Sequence, residues 1–238
     1  MSGRREELAA NLARVHERVA RACAAAGRSV DDVTVVVVTK TFPASDVALL
    51  ADLGVRDVGE NRDQEAAAKV AETAALLGDA PRPRWHFVGR LQSRKARSVA
   101  SYASAVHSID RVELVDKLAG AVASVERAPL DAFVQVSLDA DPARGGAVPE
   151  AVGDIAGAIA SRAELTLRGV MTVLPLGTDP DAGFARLAEI SRDVCREYPQ
   201  ADAISAGMSS DLEAAVRHGS THVRVGTALL GRREQVFG

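Results

Sequence analysis

Lys40 closes the run Val33-Thr34-Val35-Val36-Val37-Val38-Thr39, and a lysine in that place can do carbonyl chemistry. The run is β-branched and free of turn residues, so it reads as a strand buried on both faces. A lysine at its C-terminal end either snorkels to the surface, as most lysines do, or faces a cleft, where partial desolvation favours the free amine that attacks carbonyls. The rest of the sequence favours the cleft. Two further segments could receive a phosphate. Ser205-Ala206-Gly207-Met208-Ser209-Ser210-Asp211 and Arg224-Val225-Gly226-Thr227-Ala228 each pair a hydroxyl with a glycine, which lets the backbone approach an anion closely. The first leads into a predicted helix, whose free N–H groups and dipole suit a phosphate. An ordinary cap by Ser209 or Ser210 explains one hydroxyl, but not a second Gly-Thr pair on the neighbouring strand end.

The elements that must hold these groups follow from the hydrophobic pattern. Leu8, Leu12, Val15 and Val19 recur at helical spacing over about 6–26 and stop at Gly27, which predicts a helix ahead of the first strand. Beyond it, strand and helix signals alternate. Strands are predicted over 33–39, 55–58, 85–88, 105–107, 132–138, 165–173, 203–205 and 222–225. Helices are predicted over 44–53, 63–77, 93–101, 111–126, 149–161, 181–198 and 210–218, and a short tail runs from 227 to 238. Eight regular repeats imply parallel strands and right-handed crossovers, closing into a (β/α)8 TIM-type barrel of the α/β class with an extra N-terminal helix. Gly78-Asp79-Ala80-Pro81-Arg82-Pro83 reads as a loop rather than a linker, so residues 1–238 are expected to form a single domain. In such barrels the chemistry sits at the C-terminal strand ends, which is where Lys40, Ser209 and Gly226-Thr227 all fall.

Composition narrows the partners. A formal net charge of −3 over 238 residues gives no global attraction for nucleic acid or an anionic membrane. No run approaches the roughly 18 apolar residues of a membrane span. The charged start Met1-Ser2-Gly3-Arg4-Arg5-Glu6-Glu7 has no signal-peptide core, so a cytoplasmic protein is expected. Cys23 and Cys195 have neither metal-ligand nor redox spacing and read as two reduced thiols. Gly219-Ser220 breaks the helix between His218 and His222, so no metal pair is expected there. Arg90, Arg94, Lys95 and Arg97 read as a solvated basic face or a local anion or partner site.

A carbonyl-attacking lysine and a phosphate cup in one cavity fit two chemistries. One is pyridoxal 5′-phosphate held as an internal aldimine; the other is a phosphosugar aldolase whose lysine attacks the substrate. Arg224 separates them. It stands on a late strand just before the phosphate turn, where it could approach a pyridine nitrogen. A cation there would keep that nitrogen unprotonated and weaken the cofactor as an electron sink.

Several stretches together carry a family pattern: Val38-Thr39-Lys40-Thr41, Gly59-Glu60-Asn61-Arg62-Asp63-Gln64-Glu65, Trp85-His86-Phe87-Val88-Gly89-Arg90-Leu91-Gln92, His107-Ser108-Ile109-Asp110, Arg168-Gly169-Val170-Met171, Gly207-Met208-Ser209-Ser210-Asp211 and Arg224-Val225-Gly226-Thr227-Ala228. Over nearly its whole length the chain resembles the pyridoxal phosphate homeostasis protein family, whose barrel is similar to the N-terminal domain of bacterial alanine racemases. The resemblance implies that Lys40 carries pyridoxal 5′-phosphate as an aldimine. It implies that Ser209, Gly226 and Thr227 hold the phosphate, that Arg224 faces the ring nitrogen, and that Asn61, His86 and Met171 line the pocket. Read from the residues alone, His86 beside Trp85 fits equally well as a histidine hydrogen-bonded within a barrel layer.

The chain departs from the family pattern in three places. Ser137 replaces the usual Asn after the fifth strand's Val, and Arg94 replaces an Asn before Lys95. The family's Glu-x-x-Lys-x-Gly loop becomes Asp141-Pro142-Ala143-Arg144-Gly145-Gly146, which keeps charge but changes reach. Racemases of this fold pair the lysine with a tyrosine from an additional domain. Here only Tyr102 and Tyr198 are present, neither at a predicted strand end, so no second base is evident. The expected function is therefore intracellular homeostasis of pyridoxal 5′-phosphate, buffered by a monomer or delivered to apoenzymes that depend on it or to free amino acids. A low-activity racemase or lyase acting on amino acids is the alternative.

Overall fold

In this computed structural model, residues 2–141 and 144–231 are described. Eight parallel strands close into a barrel in chain order: β1 (Thr34–Val38), β2 (Asp57–Glu60), β3 (Arg84–Phe87), β4 (Ala105–Ile109), β5 (Leu130–Gln135), β6 (Leu165–Met171), β7 (Ala203–Ser205) and β8 (His222–Val225). The seam pairs Val36 with Arg224 and Val37 with Val225. Around it lie α1 (Ser2–Ala25), α2 (Ala44–Asp52), α3 (Asp63–Leu77), α4 (Ala96–Tyr102), α5 (Val112–Ser124), α6 (Val152–Ala160), α7 (Pro180–Glu197), α8 (Leu212–Arg217) and α9 (Thr227–Leu230). This is the (β/α)8 barrel with an extra N-terminal helix that the alternation predicts. One element departs from expectation: the predicted tail after the eighth strand opens with α9, and its residues 232–238 lie outside the described ones.

The period of two in β1 sets which side chains face inward. A Cβ on Gly59 would lie 3.1 Å from a Val36 methyl and 3.4 Å from a Val38 methyl, so these valines fill the interior. Val37 packs outward in the cluster of Leu8, Leu12, Val47 and Leu50. Each such buried side chain is worth about 1.5–3 kcal/mol. A one-residue slip would exchange the two faces, so the register is strongly held.

The barrel interior differs from the usual layers of branched aliphatics. Ala105, Phe133, Met171 and Ala203 form a small apolar cluster. Beside it stand His86, His107 and His222, with the His107 ring stacked on Phe133 at 4.3 Å. The extra helix α1 braces the ends of β7 and β8, the strands beside β1. Arg18 donates to the Ser209 carbonyl at 2.6 Å, Asn11 to that of Leu229 at 2.7 Å, and Arg4 to that of Leu230 at 3.1 Å.

Candidate functional site

Lys40 lies two residues beyond β1 and is exposed. The burial expected for it is not observed. The turn explains why: Phe42 N–H bonds back to the Thr39 carbonyl, and Thr41 takes φ 68°, a left-handed conformation β-branched residues rarely adopt. The chain therefore folds back at once and leaves the lysine uncovered. No hydrogen bond or ion pair engages its amine among the described residues. Thr39 below it is fully buried and fixed twice, its hydroxyl donating to Glu60 Oε1 at 2.6 Å and its carbonyl accepting from Lys69 at 2.7 Å.

The strand ends beside β1 supply the phosphate-binding candidates. Gly207 takes φ +91°, and a Cβ there would sit 2.5 Å from that of Ala215, so only glycine makes this turn. Ser209 is half-buried and Thr227 exposed. No hydrogen bond engages the backbone N–H groups of Ser209, Ser210, Gly226 or Thr227 among the described residues. The Gly226 Cβ position is 3.3 Å from the Val38 carbonyl, so a side chain there would crowd the end of the strand that carries Lys40. Lys40, Ser209, Gly226 and Thr227 thus belong to three consecutive strand ends of the closed sheet.

Arg224 points into the barrel and is 5% exposed. Its Nη1 donates to the Ser205 carbonyl and hydroxyl, both at 2.8 Å, and its Nη2 donates to the Thr172 carbonyl at 2.7 Å. A guanidinium has five N–H donors, so at least two stay unfilled by these bonds. Burial lowers its pKa to about 10, partly offset by the charge of Asp211.

Met171 and Asn61 flank the mouth from the remaining strands. Met171 ends β6, fully buried, and lines a cavity of about 360 Å³ together with Gln135, Ser137, Arg144 and Met208. Asn61 follows β2, and its buried Oδ1 has no hydrogen-bond partner. Gly89 is required beside it, because a Cβ there would lie 2.1 Å from the Asn61 carbonyl oxygen. Of the variant loop, Pro142 and Ala143 lie outside the described residues, whereas Arg144 donates to the Val173 carbonyl at 2.8 Å.

His86 is not brought to the mouth. It is buried within β3 and both ring nitrogens are engaged, Nε2 at 2.8 Å from Asp57 Oδ1 and Nδ1 at 2.9 Å from His107 Nε2. Asp57, His107 and Ser205 are the interior residues the sequence reading missed. Burial pushes the Asp57 carboxyl up, but hydrogen bonds from His86 and Arg84 hold it below its usual value. Burial first, and then the neighbouring His86, His222 and Arg224, push His107 well below the ordinary histidine range.

The site therefore joins, in a closed parallel barrel, an uncovered strand-end lysine, unengaged N–H groups beside it and a buried arginine with spare donors, the chemical groups that suit a phosphorylated carbonyl compound. The sequence pattern described as "Alanine racemase, N-terminal domain" matches residues 7–234. A pyridoxal phosphate homeostasis protein of Mycobacterium leprae (strain TN) is 46% identical over 240 residues, spanning 96% of this chain and 93% of that protein. One of Escherichia coli (strain K12) is 34% identical over 235 residues, spanning 96% and 97%. The solved structure of PipY of Synechococcus elongatus PCC7942 with PLP bound superposes with a TM-score of 0.80 at 29% identity, over 94% of this chain and all of that one. The chain therefore belongs to the alanine racemase N-terminal domain family and, within it, to the pyridoxal phosphate homeostasis proteins.

Proposed function

We propose that this protein binds pyridoxal 5′-phosphate at the barrel mouth and serves its homeostasis in the cytoplasm, buffering it or delivering it to amine acceptors. One observation carries the reading: among the described residues, the exposed Lys40 has no partner and shares three consecutive strand ends with N–H groups and hydroxyls that nothing engages. The relatives' names and the PLP-bound PipY structure support it.

The residues present fit the cofactor. Lys40 supplies the amine for its aldehyde carbon. Ser209, Gly226 and Thr227 offer N–H and hydroxyl donors for its phosphate. Arg224 offers spare N–H groups to its ring nitrogen, and Asn61 after β2 and Met171 at the end of β6 are the residues that would flank it. When bound, pyridoxal 5′-phosphate supplies an aldehyde that passes reversibly between amines, which is the chemistry a carrier needs. The exposure of Lys40 suits exchange with an incoming amine better than guarded carbanion chemistry. The racemase or lyase alternative gains nothing from the geometry. Tyr102 ends α4 outside the sheet, and Tyr198 follows α7, where its hydroxyl meets Glu197.

Borohydride reduction of the loaded protein followed by peptide mapping tests the assignment, with the adduct expected on Lys40. Lys40→Ala should abolish the adduct while changing stability by less than about 0.5 kcal/mol, because the side chain is exposed and unpaired. Equal labelling of Lys69 or Lys95 in that variant overturns the assignment.

A further inference from the structure

A line of polar side chains crosses the barrel interior beneath the proposed site. Arg224 Nη1 is 2.8 Å from Ser205 Oγ, which is 2.8 Å from His107 Nδ1. His107 Nε2 is 2.9 Å from His86 Nδ1, and His86 Nε2 is 2.8 Å from Asp57 Oδ1. All five residues are more than nine-tenths buried. They come from five different strands and run from the start of β2 toward the mouth.

The order of donors and acceptors along this line follows from the chemistry of its ends. A guanidinium only donates, so the Ser205 oxygen accepts from Arg224. An ionised carboxylate only accepts, so His86 Nε2 carries a hydrogen and donates to Asp57. Taking each ring as a neutral imidazole with one donor and one acceptor, His86 Nδ1 is bare and receives the Nε2 hydrogen of His107. His107 Nδ1 is then bare as well, and the Ser205 hydroxyl donates to it. This arrangement puts one hydrogen in each gap. Reversing it would set a bare His86 Nε2 against the Asp57 carboxylate, two acceptors 2.8 Å apart with no hydrogen between them. The buried surroundings of His107 oppose a second proton on its ring.

We propose that Asp57, His86, His107 and Ser205 are positioning residues: their one-way hydrogen-bonded line fixes Arg224 so that its remaining N–H groups meet an unprotonated aromatic ring nitrogen. With both imidazole tautomers set from the Asp57 end, the Ser205 hydroxyl proton points away from Arg224 and its lone pairs point toward it. The nearest interior carboxylate on this line is four hydrogen bonds away, so Arg224 keeps its charge directed at a ligand rather than at a contact partner. The inference rests on the reading above that Arg224 faces the cofactor ring.

Two measurements separate the line from that reading. The first needs no ligand: nitrogen-15 NMR of the histidine rings in the full chain at neutral pH. Bare Nδ1 and protonated Nε2 are expected on both His86 and His107. A proton on Nδ1 of His107, or a doubly protonated ring, overturns the proposal. The second is binding of pyridoxal 5′-phosphate, read as dissociation constant and as the absorption band of the bound cofactor.

His107→Phe keeps the ring stacked on Phe133 but removes both nitrogens. It should weaken binding roughly tenfold, the loss of about one hydrogen bond to a charged group, and shift the band. Ser205→Ala, a smaller change, should do the same if His107→Phe does not fold. Asp57→Leu should match them, and Asp57→Asn, whose amide oxygen can still accept from His86, should recover most of that loss. A folded His107→Phe or Ser205→Ala with unchanged affinity and band overturns the positioning role. Expected tautomers in a wild-type protein that takes up no pyridoxal 5′-phosphate would instead sink the ligand reading and leave the hydrogen-bond order intact.

Discussion

The barrel buries polar groups on both sides of its sheet, and the two sides handle charge in opposite ways. Outside, between β2 and α3, Lys69 Nζ meets Glu60 Oε1 at 2.6 Å and the Thr39 carbonyl at 2.7 Å. The charges touch and cancel, and what they hold is the end of the strand that carries Lys40. Inside, Asp57, which is itself paired with Arg84 at 2.8 Å, and Arg224 stand at the two ends of a line of imidazole and hydroxyl links, and among the described residues no carboxylate contacts Arg224. A contact pair uses up its charges, whereas a separated pair leaves one end unspent. The outer arrangement is therefore suited to fixing backbone and the inner one to presenting a cation to a ligand. Both converge on the mouth, one below Lys40 and the other at Arg224.

The largest effect should come from breaking the outer pair. Lys69→Met leaves a fully buried Glu60 carboxylate without its counter-charge, and removing one partner of such a pair costs about 3–5 kcal/mol. Urea unfolding of the variant measures this, and the double variant Glu60→Leu/Lys69→Met should recover much of the loss. A single-variant cost below about 1 kcal/mol would mean that solvent already reaches the pair, and the contrast between the two sides would fail.

The inner side should be the more sensitive to acid. Burial, and then the proton that a neighbouring His86 would carry in acid, push His222 down to about 4, and His107 is held well below the usual value. In the unfolded chain both titrate near 6.5. As pH falls below that value the unfolded state takes up protons that the folded state refuses, so stability declines; above it the full contribution is present. For His222 the loss builds between about pH 6.5 and pH 4, reaching roughly 3 kcal/mol at most. Unfolding midpoints at a series of pH values should show this decline, and His222→Asn should remove its share. A flat profile from neutral pH to pH 5 would mean that water screens these rings.

How much of this was legible in the sequence differs between the two sides. The strand ends were legible because each is announced locally: an unbroken β-branched run stops at Lys40, and Gly207 and Gly226 mark turns beside hydroxyls. The exposure of Lys40 was not, because it depends on the left-handed turn at Thr41, for which a threonine is no signal. The four-residue α9 was missed for want of a helical period. The interior line was invisible for a deeper reason. Residues 57, 86, 107, 205 and 224 contribute one side chain per strand, and barrel closure alone brings them together. Yet a hint was present, since His86, His107 and His222, three of the chain's five histidines, fall on predicted strands. Histidines at inward positions of a small barrel must pair with something, because buried polar groups are rarely left without partners.

The smallest expected effect is also the one that tests whether the two sides are separate. Thr39→Val keeps the shape of the strand end but deletes the hydroxyl that donates to Glu60 Oε1 at 2.6 Å. Lys69 still serves the same oxygen, so the expected cost is about 1.5 kcal/mol of stability, the lower end for a bond to a charged group. Affinity for pyridoxal 5′-phosphate should stay within about twofold, because Lys40 makes no contact through that hydroxyl and Arg224 is held from the other side of the sheet. Titration of the variant followed by the bound-cofactor band checks both expectations at once. A tenfold loss of affinity here, equal to that of His107→Phe, would show that the outer pair also sets the geometry of the mouth. The division of labour between fixing backbone and presenting charge would then have to be given up.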